Sequence, residues 1–191
     1  MSRTSILLST LALASVATLA QAEAVTYLLD PNHTSVLFEI KHFGTSTNRG
    51  RFDKKEGSVT IDRAAKTGKV EVTFDIDSVN TGVAHLNASI KGGNLMKAAE
   101  FPTAKFVGDR FTFDGEKVAS VAGTLTMLGK TQPVTLIASH FNCFDHPQVK
   151  REVCGGDFEA TIQRSQWGMS YGVPAASDAV RLLIQVEGVR Q

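Results

Sequence analysis

Histidine and cysteine are the side chains of this 191-residue chain whose types could support catalysis or metal binding, and it has five histidines and two cysteines. The histidines are His33, His42, His85, His140 and His146. A histidine binds metal or acts as a general base when a second ligand or a carboxylate is suitably spaced. No two of them show the close spacing of a motif such as H-E-x-x-H. We therefore predict no metal, no cofactor and no catalytic residue.

The first 22 residues predict a secretory signal peptide. Arg3 provides a positively charged start, and residues 6–19 are apolar or small but too few for a membrane span of about 20 residues. Ala20-Gln21-Ala22 fits the small-x-small cleavage rule, so residues 23–191 are expected to form the mature domain. A retained membrane anchor is the alternative, but the sequence turns polar directly after Ala22. We predict a periplasmic protein whose mature chain has no transmembrane segment.

The cysteines, Cys143 and Cys154, flank a polar segment that is typical of a hairpin tip. An even number of cysteines in an exported chain favours a disulfide, and a bridge here would tie the base of the hairpin. A zinc site is the alternative, because two thiolates with His140 and His146 match zinc in number. The disulfide is the favoured prediction, since those four ligands would crowd a single loop.

Composition and motifs argue against two classes of function. Lysine and arginine number 20 and aspartate and glutamate 19, and no basic block occurs, so nothing draws the chain electrostatically to nucleic acid. The sequence has neither the G-x-S-x-G motif of a serine hydrolase nor a phosphate-binding glycine loop. We predict neither a nucleic-acid partner nor an enzyme of these types.

Strands with alternating polarity must position whatever site exists. Near the C-terminus the aliphatic residues are Val180, Leu182, Ile184 and Val186. An earlier alternating set is Val70, Val72, Phe74 and Ile76. Such patterns give one apolar and one polar face, and about eight or nine strands of this kind predict a sandwich or barrel. Only residues 82–91 and 95–100 have a composition that favours short helices.

Some strands are apolar on both faces. In residues 134–141 we expect Ile137 and Phe141 to point outward. Outward apolar side chains need a cover, which could be the helical segment, a lid or a second subunit. A homodimer is therefore possible, although scattered exposed apolar residues are normal.

An ordered series of short motifs runs along residues 27–188. The motifs are YLLDPNHTSVLF at 27–38, His42, Gly50-Arg51-Phe52, Thr81, His85-Leu86, Phe101-Pro102 with Phe106, GTLTMLGKT at 123–131, Arg164 before Gly168, and the alternation at 180–186. In this order, the series resembles the YceI family of exported lipid-binding proteins. The resemblance implies an all-β, lipocalin-like antiparallel barrel of about eight strands with one short helical excursion. It also implies an elongated apolar tunnel that holds a polyisoprenoid or similar long-chain lipid.

Three positions depart from the family pattern. Asn87 stands where an arginine often follows the histidine-leucine pair, residues 94–96 replace a phenylalanine-rich piece, and Gln166-Trp167 replaces an acidic-phenylalanine pair. Recognition of a lipid head group is therefore the property that transfers least from the family.

The candidate ligand-binding residues divide into a wall and a mouth. The predicted wall residues are Phe38, Phe52, Phe74, Phe106, Leu125, Met127, Leu136 and Leu182. The predicted mouth residues are His42, His85, Arg164 and Trp167. We predict a carrier or scavenger of isoprenoid or similar lipid. An enzyme of the cyclase or isomerase type, with an ionisable group inside the barrel, is the alternative, and a structural protein with a filled interior is a third.

Overall fold

The computed structural model describes residues 23–191, so the predicted signal peptide lies outside the described residues. Eleven strands form one antiparallel sheet. They are β1 (Val25–Leu29), β2 (Ser35–His42), β3 (Ser46–Phe52), β4 (Lys55–Asp62), β5 (Thr67–Asp75), β6 (Val79–Asn80), β7 (Thr103–Asp114), β8 (Lys117–Met127), β9 (Lys130–His146), β10 (Arg151–Gln163) and β11 (Ala176–Arg190). One α-helix, α1 (Ala84–Lys91), follows β6, and two short 3-10 turns span Ile76–Ser78 and Arg164–Trp167.

Eight of the strands close into a barrel, as the sequence predicts. Their order is β1, β4, β5, β7, β8, β9, β10 and β11, and β1 pairs back onto β11. The long β11 makes closure possible because it serves two neighbours in turn. Its residues 176–185 pair with β2, and its residues 188–190 pair with β1. Strands β2, β3 and β6 therefore extend the sheet at one end of the barrel.

The helical excursion is shorter than predicted. Residues 84–91 are helical, but residues 95–100 form turns instead of the second predicted helix. The helix ends because Gly92 adopts an extended conformation, after which the chain folds back on the helix. The Met96 amide donates to the Ile90 carbonyl, and the Ala98 amide donates to the Lys91 carbonyl. These bonds use carbonyls at the helix end that have no partner inside the helix.

Two glycines lie inside strands. Gly57 sits inside β4, where a Cβ atom would come within 2.2 Å of the Glu71 carbonyl oxygen. Its missing side chain permits this close strand contact. Gly108 and Asp109 form an irregularity inside the continuous β7, where the pairing with β8 shifts register. A glycine in a strand thus marks close backbone approach or a bulge here, and not a turn.

Phe141 was predicted to point outward, and a bulge in β9 makes that prediction wrong. The register with β10 shifts so that His140 pairs with Asp157 and Ala138 pairs with Phe158, which leaves Ser139 as the extra residue. One extra residue moves the following side chains to the opposite face. Phe141 is therefore buried in the barrel, whereas Ile137 points outward and is half exposed, as expected.

The two ends of the barrel are built differently. The closed end contains the turns between β4 and β5, between β7 and β8, and between β9 and β10. The open end contains the turn between β2 and β3, the helix α1, and the segment 164–175 that leads from β10 to β11.

Side-chain bonds tie the closed end together. The buried Tyr27 hydroxyl donates to one Glu152 oxygen at 2.5 Å, and the Arg63 guanidinium donates to the other at 2.7 Å. Burial alone would raise the pKa of Glu152, but the bonds from Tyr27 and Arg63 outweigh it and hold that pKa below its ordinary value. Burial, with the hydrogen bond to Glu152, raises the pKa of Tyr27 to about 12.

A disulfide lies next to this network. Cys143 and Cys154 face each other across β9 and β10 and are joined. With the two sulfurs bonded to each other, neither is free to bind zinc together with His140 and His146.

Candidate functional site

The barrel encloses a cavity of about 550 Å³. This volume falls inside the range of roughly 300–1,000 Å³ that is usual for small-molecule sites. Its wall is formed by inward-facing side chains of the strands, because alternate residues of each strand point to the same face. The cavity extends from the middle of the barrel to the open end.

Three phenylalanines form a connected aromatic wall on one side. The rings of Phe38 and Phe52 have centroids 5.8 Å apart, and those of Phe52 and Phe74 are 4.8 Å apart. Gly50 makes room for this arrangement, since a Cβ atom there would lie 2.3 Å from the Phe38 ring. The glycine-x-phenylalanine motif at 50–52 therefore shapes the cavity: its glycine admits one ring and its phenylalanine supplies the next.

The remaining predicted wall residues complete the apolar surface. All eight predicted wall residues line the cavity. Besides the three phenylalanines above, they are Phe106, Leu125, Met127, Leu136 and Leu182. Their contact with a ligand stays a prediction.

The cavity reaches the surface at the open end. Several of its lining residues are themselves exposed, including His42 at the end of β2, Phe43 in the turn that follows, Ser89 of α1, and Tyr171 before β11. This opening is called the mouth below. Its two sides are linked, because the Phe43 amide donates to the Ala175 carbonyl at 2.6 Å.

Arg164 lines the cavity but uses its donors on the protein itself. Its guanidinium is buried and donates hydrogen bonds to the main-chain carbonyl oxygens of four residues. These residues are Met169 (2.5 Å), Tyr171 (2.9 Å), Ala176 (3.0 Å) and Ser177 (2.9 Å). Four of the five guanidinium N–H groups are thereby occupied. Arg164 therefore holds residues 168–177 in place, which leaves it little capacity to bind a ligand at the mouth.

The charge of Arg164 is buried without a bound carboxylate. Burial lowers the pKa of its guanidinium, and the nearby Asp178 opposes that shift. Asp178 accepts hydrogen bonds from the amide and hydroxyl of Ser165, at 2.7 and 2.6 Å, which hold the pKa of its carboxyl below the ordinary value. The main-chain carbonyls are therefore the direct partners that stabilise the arginine.

Two predicted mouth residues do not line the cavity. His85 lies on the exposed side of α1, because Leu86 and Ile90, one helical turn apart, face inward instead. Trp167 is almost completely buried, and its indole N–H donates to the Leu125 carbonyl at 3.1 Å. Trp167 therefore supports the wall from behind.

Asn87, which replaces an arginine of the family pattern, has a structural role. Its side-chain oxygen accepts hydrogen bonds from both the amide and the hydroxyl of Thr81, at 2.8 and 2.7 Å. Thr81 lines the cavity and precedes α1. The substitution thus exchanges a cationic side chain for one that fixes how the chain enters the helix.

The large apolar lining residues that lie outside the strands were missed by sequence reasoning. They are Phe43, Leu86, Ile90, Leu95, Met96, Met169 and Tyr171. Only the four-residue spacing of Leu86 and Ile90 carried a sequence signal, because one apolar helical face needs a surface to cover. The others lie in turns, where periodicity gives no information.

A smaller cavity of about 80 Å³ continues toward the closed end. The two cavities share lining residues, namely Val72, Phe106, Leu136 and Ile184. None of the described residues that line the smaller cavity is exposed. The interior therefore narrows at Phe106 and ends beyond it.

The chemistry of the larger cavity is almost purely apolar. Among the described residues that line it, the titratable ones are His42, Arg164 and Tyr171, and none of these lining residues carries a carboxylate. His42 lies at the mouth, where its ring contacts Phe43 edge to face. The arrangement can enclose an apolar chain, but within the described lining it offers no pair of acid and base.

The fold and cavity agree with the comparisons. A family model described as a YceI-like domain matches residues 27–188, so this chain belongs to that family. A UPF0312 protein of Pseudomonas aeruginosa is 35% identical over 177 residues, covering 91% of this chain and 92% of the relative.

Two solved structures show the same fold. A mutant YCEI protein of Campylobacter jejuni superposes with a TM-score of 0.71 at 25% identity, covering 79% of this chain and 90% of that one. A polyisoprenoid binding domain from Saccharophagus degradans, implicated in plant cell wall breakdown, gives a TM-score of 0.62 at 16% identity and covers 86% and 98%. Within residues 23–191, no helix has the length and apolar character needed to cross a membrane.

Proposed function

We propose that this protein binds one long apolar chain, of the polyisoprenoid type or similar, inside its barrel. The observation that carries the proposal is the cavity of about 550 Å³, apolar along its wall and open at one end. The similarity to a polyisoprenoid binding domain supports the ligand class.

Burial of the tail accounts for useful affinity. Each methylene removed from water contributes about 0.8 kcal/mol, so a tail that buries about 15 carbons gains about 12 kcal/mol before costs. Association and ordering of the chain take back several kcal/mol. Affinity is still expected to be micromolar or tighter.

The mouth sets the direction of binding. Polar side chains, among them His42, Asn48 and Ser89, line the cavity near the open end. The narrow far end is lined by buried or partly buried residues, most of them apolar. A ligand with a polar head therefore binds tail first, with the head left at the mouth, where hydrogen bonding or solvent satisfies it.

We further propose that the protein is an exported, periplasmic carrier or scavenger and has no catalytic activity. The pattern of residues 1–22 supports export. A cyclase or isomerase would need an ionisable group with a partner inside the barrel. The described wall provides apolar side chains instead, and the guanidinium of Arg164 is already bonded to main-chain carbonyls.

The direct test is native mass spectrometry of the purified protein, before and after addition of an isoprenoid quinone. We expect one copurified or added lipid per chain, released as an intact molecule on denaturation. Absence of any copurified lipid together with no uptake of the added quinone would overturn the proposal. Recovery of a chemically altered quinone would favour the enzyme instead.

A matched pair of variants tests whether the lipid occupies the cavity. Leu182 lines it, whereas the next residue, Leu183, does not, because successive side chains of β11 face opposite sides of the sheet. Leu182→Lys puts an ammonium group in the apolar wall and should weaken quinone binding by about a hundredfold or more. Leu183→Lys should leave binding nearly unchanged. Equal affinities of two folded variants would place the lipid elsewhere.

A further inference from the structure

The mouth carries an unusual concentration of exposed apolar side chains. Four of the large hydrophobic residues that are exposed in the described chain lie around it, and they are Phe43, Val83, Tyr171 and Val173. The aromatic pair is the most exposed of all, with 69% of Phe43 and 62% of Tyr171 accessible to solvent. A large apolar side chain that stays mostly exposed gains little from folding, so several together at one opening indicate a surface that meets an apolar partner.

Phe43 makes this point most strongly. It has a positive φ angle of 50°, a conformation that is uncommon for residues other than glycine, and the following Gly44 also has a positive φ. A small polar residue would suit such a turn better. The turn instead presents a phenylalanine outward, beside the segment that Arg164 holds in place.

The charges of the same region are one-sided. The mouth rim is defined here as residues 41–49, 81–97 and 168–178. Its basic residues are Lys41, Arg49, Lys91 and Lys97, and its single carboxylate is Asp178. Arg49 and Lys91 pair with Glu39 and Asp77, which lie outside the rim, whereas Lys41 and Lys97 make no ion pair with any residue of the described chain.

The closed end shows no such bias. Its turns, residues 62–67, 114–117 and 145–151, carry five basic and four acidic side chains. The whole chain is also balanced, with 20 basic and 19 acidic residues. The excess of positive charge is therefore a local property of the rim.

We propose that the mouth rim docks on the surface of an anionic lipid bilayer. Aromatic and aliphatic side chains at the tip enter the interface, and lysines above them meet anionic head groups. Each basic side chain held near an anionic leaflet strengthens binding by about fivefold. The apolar cavity opens through the same rim, so a lipid tail passes between bilayer and barrel without exposure to water. The inference rests on the proposed lipid binding for its purpose, but docking itself requires no bound ligand.

The test is flotation of the purified mature protein with vesicles of phosphatidylcholine mixed with phosphatidylglycerol, and with vesicles of phosphatidylcholine alone. We expect binding to the anionic vesicles only, and a loss of binding as salt rises, because salt screens exposed charges. Phe43→Ser combined with Tyr171→Ser should weaken binding by about tenfold or more. Lys41→Gln combined with Lys97→Gln should have an effect of similar size.

A control variant separates a specific surface from general stickiness. Phe144 is also exposed, at 44%, but lies on the β9–β10 hairpin at the closed end. Phe144→Ser should leave vesicle binding unchanged. Wild-type protein that fails to bind anionic vesicles, or rim variants that bind as well as Phe144→Ser does, would overturn the proposal. A Phe43-dependent dimer without vesicle binding would do the same and assign the rim to a second copy.

Docking and lipid uptake can fail separately. Leu182→Lys should lose quinone binding and still float with anionic vesicles, because its rim is intact. Loss of flotation in that folded variant would mean that vesicle binding depends on the ligand cavity, and would contradict a docking function of the rim itself.

Discussion

The two ends of the barrel are held by different kinds of bond. At the closed end, a disulfide and a carboxylate shared by Tyr27 and Arg63 fix the turns to each other. At the open end, one buried guanidinium binds main-chain carbonyls of the irregular segment before β11 and of the first two residues of β11. The closed end is thus held by side chains that bond to one another, whereas the segment 168–177 at the mouth is held by one side chain that bonds to several main-chain carbonyls.

The strongest way to break this contrast is Arg164→Met. The change removes four hydrogen bonds to a charged donor, and each such bond contributes about 1.5–3 kcal/mol. Because water replaces part of that loss once the segment opens, we expect the free energy of unfolding to fall by about 3–4 kcal/mol. Urea denaturation measures it. Arg164→Lys keeps the charge but loses the planar fork of N–H donors. Its free energy of unfolding should lie between those of the wild type and of Arg164→Met. If Arg164→Met were as stable as the wild type, residues 168–177 would keep their conformation without Arg164.

Removal of the disulfide tests the closed end. The cysteines are 11 residues apart in sequence, and for a loop this short the chain-entropy model gives about 3 kcal/mol or slightly less. Cys143→Ser combined with Cys154→Ser should lower the free energy of unfolding by that amount. Quinone affinity should change little, because the bridge lies at the far end from the mouth. A large loss of affinity at equal folding would show that the two ends are coupled.

The buried Tyr27 should make the free energy of unfolding depend on pH in the alkaline range. Its pKa is raised from 10 in the unfolded chain to about 12, mainly by burial. A raised folded pKa means that the contribution is complete below pH 10 and is lost as the pH rises toward 12. Two pKa units correspond to about 3 kcal/mol. Urea midpoints across this range should fall more steeply for the wild type than for Tyr27→Phe. Parallel pH profiles would contradict the assignment.

The smallest expected effect concerns Phe106, which lies between the two cavities. Phe106→Leu removes the ring at the narrow point and should let a longer tail reach the smaller cavity. Each further methylene buried should improve affinity by about fourfold. Titration with a series of isoprenoid or alkyl chains of increasing length should show a longer optimum. Phe113→Leu, at a residue outside both linings, is the matched control, and the same optimum in both variants would remove Phe106 as the limit.

The regular part of the fold was accessible from the sequence because burial follows alternation. The pattern of Val180, Leu182, Ile184 and Val186 placed one face of β11 inside the barrel, and three of these residues line the larger cavity. The resemblance to the family added that the sheet closes into an antiparallel barrel of about eight strands. Phe38, Phe52 and Phe74 could be assigned to the wall for the same reason.

The irregular part could not be read from local pattern. The extra residue Ser139 turns the side chain of Phe141 to the opposite face of the sheet, and the neighbouring sequence gives no signal that predicts this bulge. Arg164 is equally suited to a lipid head group and to main-chain carbonyls, and only the path of the irregular segment that follows it decides between them. The pairing of β2 with β11 brings Phe43 and Tyr171 to the same opening, and the periodicity of the sequence does not predict this pairing.

A cavity that opens at the mouth and narrows at Phe106 has a consequence for the kinetics of exchange. The end of the tail enters first and leaves last, since the smaller cavity beyond Phe106 is lined by no exposed residue among those described. Longer tails should therefore bind at similar rates but dissociate progressively more slowly, by about fourfold for each methylene that must be withdrawn. Residence time, and not the speed of capture, would then distinguish one chain length from another.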